Sequence, residues 1–515
     1  MAPSHVYLPD GQSFTVQPVF GGLFFKSNDL NTHPTPFPAG WSVSIHTEDA
    51  GGEERGQPGI ENHATKAESR QGSHRFTNPT LQNDTLFISS ISNPSSDDFK
   101  PHASPSRQIA LMLYVSLYWY FQQQPEPSPH VSSERSKYTP SEARPRGEWR
   151  INIKRDGIFR TKNMIPKLER MGLITSFDTS VGTGLSEKEH GWDRMFVTRR
   201  MFWQIHSGIF LFTLQPLRYQ SSYPGSPVTS RPTSPTRTDS SNQISSFSHM
   251  TADIPGGPIL ATSSMAPSFP IGPYYSASHL PTYYPPPPLQ YTMTNNIRHP
   301  RRQKPAGMGE TFYSRFVPSV GKYISFRVAS LSRDPVPHFG PVSTHEKDEK
   351  KARLCALSDD ALMQMWLSNP RVSAFWGGYH PSFLSDALKS PHSFPAIGLW
   401  DGVPFAFFEL YWVKEDALGQ QMGNDAQDFD RGIHVFVGED WARGQVTAWL
   451  SSLVHYCWQA DNRTMNICLE PRVDNTRFIN LLQDAGFAKE RQVTFPHKQS
   501  WLCRLRRETW EGPAL

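Results

Sequence analysis

The stretch ICLEPRVDNTRFINLLQDAGF, residues 467–487, places a carboxylate, Glu470, where an apolar run meets Pro471 and Arg472. An acid at the end of a buried strand can accept a proton, or it can cap the helix that follows, whose N-terminus favours negative charge. On these residues alone both readings stand. A second stretch, VGEDWARGQ (residues 437–445), ends a predicted strand and opens a predicted helix. Free backbone N–H groups and the positive end of a helix dipole meet there, and together they seat a pyrophosphate. Val437, Gly438, Arg443, Gly444 and Gln445 are the residues expected to hold it. Metal chemistry is not expected. His455 and Cys457 lie two apart on a predicted helix and so do not share a face.

These groups need elements to position them. Ser358 is a suitable N-cap for DDALMQMWL, and PAIGLW and VPFAFFELYWV flank Asp401-Gly402 as a hairpin. GIHVFVG reads as a strand, and VTAWLSSLVHYC as a helix with apolar residues from Val446 to Cys457 at 3.6-residue spacing. TMNICLE reads as a buried strand. NTRFINLLQDAG reads as a helix with Phe478, Leu481, Leu482 and Ala485 inward, a cap at Asp474 or Asn475, and Gly486 at its left-handed end. VTFPHKQSWLCRLR is expected to be one last strand. The order helix, hairpin, strand, helix, strand, helix, strand predicts a mixed α/β sheet with a crossover connection.

The 515 residues allow two or three domains, and the apolar share of 37% with 46 prolines implies that part of the chain does not pack. Residues 1–219 read as an N-terminal α+β domain with long loops at about 48–74 and 122–148 and a hairpin turning at Asp10-Gly11, read as type I′. The apolar run 109–121 is too short to span a bilayer and reads as a buried helix or strand. Residues 220–305 are Pro/Ser-rich and are expected to be a disordered insertion, with RHPRRQK (298–304) at its solvated edge. Residues 306–515 form the second domain. A net charge of +4 gives no reason to expect a nucleic-acid surface, and no membrane span is expected. Cys355, Cys457, Cys468 and Cys503 form no C-x-x-C pair, which suits a reduced compartment. No signal pattern opens the chain, and Pro-Ala-Leu at its end departs from a peroxisomal address, so a cytoplasmic protein is expected, with a peroxisomal one as the alternative.

The order of elements, the turn at Gly438 and the E-P-x-x-x-N…A-G-F segment resemble the GNAT acyltransferases. NPRVSAFWGG (369–378), DRGIHVFVG (430–438), LEPRVDN (469–475) and VTFPHK (493–498) resemble the siderophore-biosynthetic branch of that fold. The N-terminal DGQSFTVQPVFGGLFFKSNDLNTHPTPFPAGW and GWDRMFVTRRMFWQI resemble its fungal two-domain members, the N5-hydroxyornithine acyltransferases. The resemblance implies a C-terminal GNAT-type sheet flanked by helices. The N-terminal domain would be a degenerate repeat of the same fold or a dimerisation module, which leaves a homodimer open. It implies acyl-CoA as a cosubstrate, with no permanently bound cofactor, and a small-molecule acceptor, N5-hydroxy-L-ornithine. His434 and Glu470 match the branch's strand histidine and strand-end acid, and a group of near-neutral pKa suits the proton transfer. Trp376 is expected to line the acceptor pocket, and Arg472 and Lys498 to hold the acceptor's carboxylate. The turn departs from the family's Gln/Arg-x-x-Gly-x-Gly/Ala in carrying one glycine, W-A-R-G-Q.

The expected reaction is acyl transfer, acetyl before anhydromevalonyl, to the hydroxylamine nitrogen, giving a hydroxamate. One rival is acetylation of an aminoglycoside or polyamine, which would need a strongly acidic pocket. The other is a noncatalytic CoA-fold scaffold.

Overall fold

Two eight-stranded sheets carry the chain, each containing one parallel strand pair. The computed structural model describes residues 4–28, 37–48, 72–92, 105–124, 130–131, 133–161, 163–176, 195–206, 288–343 and 349–515.

The first sheet holds β1 (Ser4–Tyr7), β2 (Ser13–Val19), β3 (Gly22–Ser27), β4 (Gly40–Glu48), β5 (Ser73–Arg75), β6 (Asp84–Ser92), β7 (Arg150–Ile153) and β8 (Met195–Thr198). Its path is β1-β2-β3-β4-β6-β7-β8, with β5 on β4. The run at 109–121 is helical: α1 (Pro105–Tyr120) is buried along nearly its whole length and crosses from β6 to its parallel partner β7. Two short helices, α2 (Met164–Arg170) and α3 (Arg199–Gln204), complete this half. The Asp10-Gly11 turn is not type I′. Only Gly11 has a positive φ, and Leu8 and Gln12 close a longer loop.

A hairpin, β9 (Tyr291–Thr294) and β10 (Ile297–Pro300), lies inside the segment expected to lack structure. Asn295 and Asn296 both take positive φ, the type I′ geometry that an amide side chain tolerates. The basic patch 298–304 is solvent-exposed at Arg298, Arg301, Gln303 and Lys304, but not at Arg302. Arg302 is buried against Trp412 and Phe429 and pairs with Glu415. Residues 207–287, the rest of that segment and the end of the expected first domain, lie outside the described residues.

The second sheet runs β11 (Thr311–Val317), β12 (Lys322–Val328), β13 (Ser393–Trp400), β14 (Val403–Trp412), β15 (Arg431–Val437), β16 (Asn466–Leu469), β18 (Gln499–Arg506) and β17 (Ala488–Thr494). Asp401 and Gly402 make the expected hairpin turn, and both have positive φ, the type I′ geometry. The expected single last strand is a hairpin, because the chain reverses at Pro496. β17 reads AKERQVT, exposed at nearly every position, so no alternation announces it.

The helices here are α4 (Glu349–Cys355), α5 (Asp359–Leu367), α6 (Pro370–Trp376), α7 (Phe383–Lys389), α8 (Ala417–Met422), α9 (Val446–Ala460) and α10 (Thr476–Asp484). Ser358 caps α5, Asn475 caps α10, and Gly486 ends α10 with φ +92°. α10 buries Ile479 and Leu482 most deeply, so its inward stripe is rotated by about one residue from the expected one.

One face of the second sheet packs on α5, α6 and α7 through Leu362, Trp366, Phe407 and Phe436. The other packs on α9, and that core continues into the first half. His455 on α9 joins the halves. Its Nε2 donates to Trp203 O (2.7 Å), and its Nδ1 accepts from Tyr313 Oη (2.8 Å). Burial holds this imidazole neutral, its pKa lowered to about 3. Among the described residues no helix is long and apolar enough to cross a membrane.

Candidate active site

The parallel pair β15/β16 is short. Arg431 pairs with Ile467 and Gly432 with Cys468, and beyond them the strands part. His434 stands on β15 just past this fork, and Glu470 stands where β16 ends. Their side chains bridge the gap: His434 Nε2 lies 2.5 Å from Glu470 Oε1.

Neighbouring elements fix the pair. Register places Glu409 of β14 opposite His434, and its Oε2 lies 3.1 Å from His434 Nδ1. Ser393 Oγ donates to the other oxygen of Glu409 (2.7 Å). Tyr411, two residues along β14, lays its ring over β15 and donates to Glu470 Oε2 (2.7 Å). Gly432 makes room for that ring, since a Cβ there would lie 2.0 Å from Tyr411 Cζ. Lys498, from the β17–β18 turn, completes the set with Nζ 3.4 Å from Glu470 Oε1.

The electrostatics follow from this packing. Burial alone would lower the pKa of His434, but the facing carboxylates of Glu470 and Glu409 overturn that and raise it to about 10. Burial alone would raise the pKa of Glu470. The charge and hydrogen bond of His434, then Lys498 and Tyr411, bring it down to about 2. Glu409 is lowered too, against its burial, by His434 and Ser393. At neutral pH the chain is carboxylate, imidazolium, carboxylate. The expectation of a near-neutral pKa is therefore corrected: His434 is already protonated and Glu470 ionised.

Trp376 ends α6 with its ring edge-on to His434 (6.2 Å between centroids), and its Nε1 donates to Val435 O (3.2 Å). It therefore borders the site. Of the two cations expected for the acceptor's carboxylate, Lys498 reaches the site and Arg472 does not. The Arg472 guanidinium is engaged by Asp474 (2.6 and 2.8 Å) and Ala374 O (3.0 Å), which ties the turn after Glu470 to α6.

The expected phosphate turn is a 3₁₀ turn, Asp440–Gln445, running into α9. No side chain caps α9, and no acid sits in its first turn, so its dipole is unopposed there. Gly444 has open space where a Cβ would go, and Gln445 holds the cap position. Gly438 has a different reason to be glycine. Its N–H donates to Phe405 O (2.9 Å), and a Cβ would strike the Trp366 ring at 2.3 Å. Arg443 Nη2 donates to Val437 O (3.4 Å). Burial, then Arg371 and Arg477, lower the Arg443 pKa, with Asp440 opposing. Arg371 and Arg443 thus share the Asp440 carboxylate at this turn, with Arg477 close enough to Arg443 to lower its pKa.

Sequence reasoning missed Glu409, Tyr411, Arg371 and Arg477. The one signal for Glu409 is that it is the lone carboxylate in the strand VPFAFFELYW. Among the described residues no cluster could hold a metal ion, and the four cysteines are unpaired thiols.

Residues 356–495 match the acetyltransferase (GNAT) domain model, a span that holds every residue of this site except Lys498. Over 97% of its length the chain is 53% identical to N5-hydroxyornithine acetylase sidL of Beauveria bassiana (strain ARSEF 2860), all of which is covered. The chain belongs to the N5-hydroxyornithine acetylase family. Two further relatives match about half of it. The N(5)-hydroxyornithine:cis-anhydromevalonyl coenzyme A-N(5)-transacylase SIDF of the same fungus is 35% identical over 44% of this chain and 48% of its own. The N(6)-hydroxylysine O-acetyltransferase of Escherichia coli is 35% identical over 41% and 60%. As a family member the chain is a GNAT-fold acyltransferase.

Proposed function

We propose that the chain transfers an acetyl group from acetyl-CoA to the hydroxylamine nitrogen of N5-hydroxy-L-ornithine, giving a hydroxamate for iron chelation. The observation that carries this reading is the Glu409–His434–Glu470 charge chain standing across the fork of β15 and β16.

The acyl-CoA lies along β15, with its pyrophosphate at Asp440–Gln445 among Arg371, Arg443 and Arg477 and its thioester at the fork. The hydroxylamine approaches from the α6 face, beside Trp376. A hydroxylamine is largely unprotonated near neutrality, so its nitrogen attacks without prior help. The C–N bond forms, the carbonyl oxygen becomes an oxyanion, and the nitrogen carries one proton too many. Glu470 takes that proton. Its lowered pKa keeps Glu470 ionised and ready to accept, and displacing the Lys498 contact raises its basicity as the N–H arrives. Lys498 makes the longest of the contacts to Glu470, so it is the donor the incoming N–H displaces most readily. His434, already charged, serves by pinning Glu470 in place. The C–S bond then breaks and the thiolate leaves as CoA thiol. The proton lost by nitrogen balances the one gained by sulfur.

The acetyl donor rests on whole-length similarity to an acetylase, against half-length similarity to the anhydromevalonyl transacylase. We place Lys498 at the acceptor's carboxylate and leave Arg472 out of it. The test is thiol release with N5-hydroxyornithine and ornithine compared as acceptors. Release from acetyl-CoA with the hydroxylamine alone is expected. Release only from anhydromevalonyl-CoA would change the donor, and silence with both donors in folded protein would refute the enzyme.

A further inference from the structure

A cavity of about 640 Å³ lies at the other end of α9, away from the phosphate turn. α9 has 15 residues, so its two ends stand about 22 Å apart. The cavity is walled by the β9–β10 hairpin and the strap after it, by the starts of β13 and β15, and by α9 from Tyr456 onward. It lies on the α9 face of the sheet. Along β15, Arg431 points to that face, whereas His434 points to the opposite one beside Trp376.

Its charge is unbalanced. Arg301, Arg302, Lys304 and Arg431 line it, against Glu415 and Asp461 alone. Both acids are already engaged: Glu415 with Arg302 and His299, and Asp461 with Arg463. Arg431 is 5% exposed and has no carboxylate partner among the described residues. Its guanidinium stacks on Trp412 (4.1 Å) beside Phe394, and its Nε makes no hydrogen bond. Burying an arginine without a counter-charge is costly, and Arg302 nearby adds repulsion. An arginine held flat on an aromatic face presents its edge, which matches a planar carboxylate. Phe312, Phe394 and Trp412 supply an apolar wall for the rest of such a molecule.

We propose that this cavity is a second ligand site, distinct from the acyl-transfer site, that takes a small dicarboxylate with a hydrocarbon body. The strap at 301–306 forms one wall, so a bound ligand bridges that strap to the catalytic half.

The experiment is calorimetric titration of the full chain with phenylsuccinate, and with inorganic phosphate at equal ionic strength. Expected is saturable binding of phenylsuccinate that acetyl-CoA and N5-hydroxyornithine do not displace. Arg431→Gln should weaken it by roughly 10- to 100-fold, the size of one charge-assisted hydrogen bond. Lys304 is on the exposed rim, so Lys304→Ala keeps the test valid if Arg431→Gln fails to fold, and it should weaken binding by a smaller factor. Equal binding in both variants, displacement by either substrate, or no binding to the parent chain would overturn the proposal. Tighter binding of phosphate than of phenylsuccinate would overturn the carboxylate assignment.

Discussion

Glu409→Gln removes one charge from the charge chain and leaves its geometry standing. The amide oxygen can still accept from His434 Nδ1 at the 3.1 Å now occupied by a carboxylate oxygen, and Ser393 still faces the side chain. The change is therefore electrostatic. A hydrogen bond to a charged acceptor contributes about 1.5–3 kcal/mol and a neutral one about 0.5–1.5 kcal/mol, so the charged ring loses about 1–2 kcal/mol. At 1.36 kcal/mol per pKa unit that is roughly one unit. His434 should fall from about 10 to near 9, with Glu470 still holding it up. When His434 loses its proton, the ring keeps one N–H but no charge, so the charge-assisted bridge to Glu470 weakens. Turnover should fall on the same limb. The assay is thiol release at saturating substrates from neutral to strongly alkaline pH, with the His434 imidazole followed by NMR. The parent profile should stay flat until its pH approaches 10, and the variant's basic limb should move down by about one unit. A folded variant whose basic limb does not move, or moves up, would refute the argument that Glu409 acts through the charge of His434.

Removing the base has a larger effect. Glu470→Gln should lower kcat by roughly 10²–10⁴-fold in thiol-release assays while leaving acetyl-CoA binding intact. Tyr411→Phe keeps the ring over Gly432 but deletes the 2.7 Å bond to Glu470, so the acid limb of kcat should move up by about 1–2 pH units. The His434 interaction also predicts alkaline sensitivity of the fold. Its folded pKa is raised above the unfolded value of about 6.5, so its stabilisation is complete below that pH and is lost as pH rises through 10. Tm should fall over that window in the parent chain and fall less in His434→Gln.

Where the sequence carried a local physical signal, the structure could be read from it. Asp401-Gly402, Ser358, Asn475 and Gly486 each fix a turn or a cap through their own backbone preference, and each stands where expected. The candidate pair, His434 and Glu470, came from motif resemblance. What sets their charge did not, because Glu409 and Tyr411 reach them only through the antiparallel register of β14 and β15. Register is a long-range property with no mark on one strand. Arg472 shows the converse: its charge and position suggested a carboxylate site, but Asp474, two residues on, satisfies it. Gly438 looked like a phosphate glycine and is instead a packing glycine under Trp366, a contact between residues 72 apart in the chain. The β9–β10 hairpin, YTMT and IRHP around Asn295-Asn296, was absorbed into the Pro/Ser tract it follows, and it is held by Glu415, which meets Asn295 and His299 from beyond β14.

The two halves share one topological device, and the difference between them predicts one acyl-CoA per chain. In the second half, β15 and β16 pair in parallel at two positions and then part, with α9 as the crossover. In the first half, β6 and β7 do the same, Thr85 with Asn152 and Leu86 with Ile153, with α1 as the crossover. That likeness favours a degenerate repeat. Beyond the second fork lies the His434–Glu470 bridge. Beyond the first, the chain fills the gap with its own backbone: Lys154 N–H donates to Leu86 O, and the turn Gly157–Arg160 presses on β6 so closely that a Cβ on Gly157 would lie 2.1 Å from Ile88 O. The edge of β6 that would line a pantetheine arm is covered. Calorimetric titration with acetyl-CoA should therefore give one site per chain, abolished by charge reversal at Arg371 and Arg443 together. Two sites per chain would show that the turn at Gly157 opens, and the assignment of the first half as a closed copy would fail.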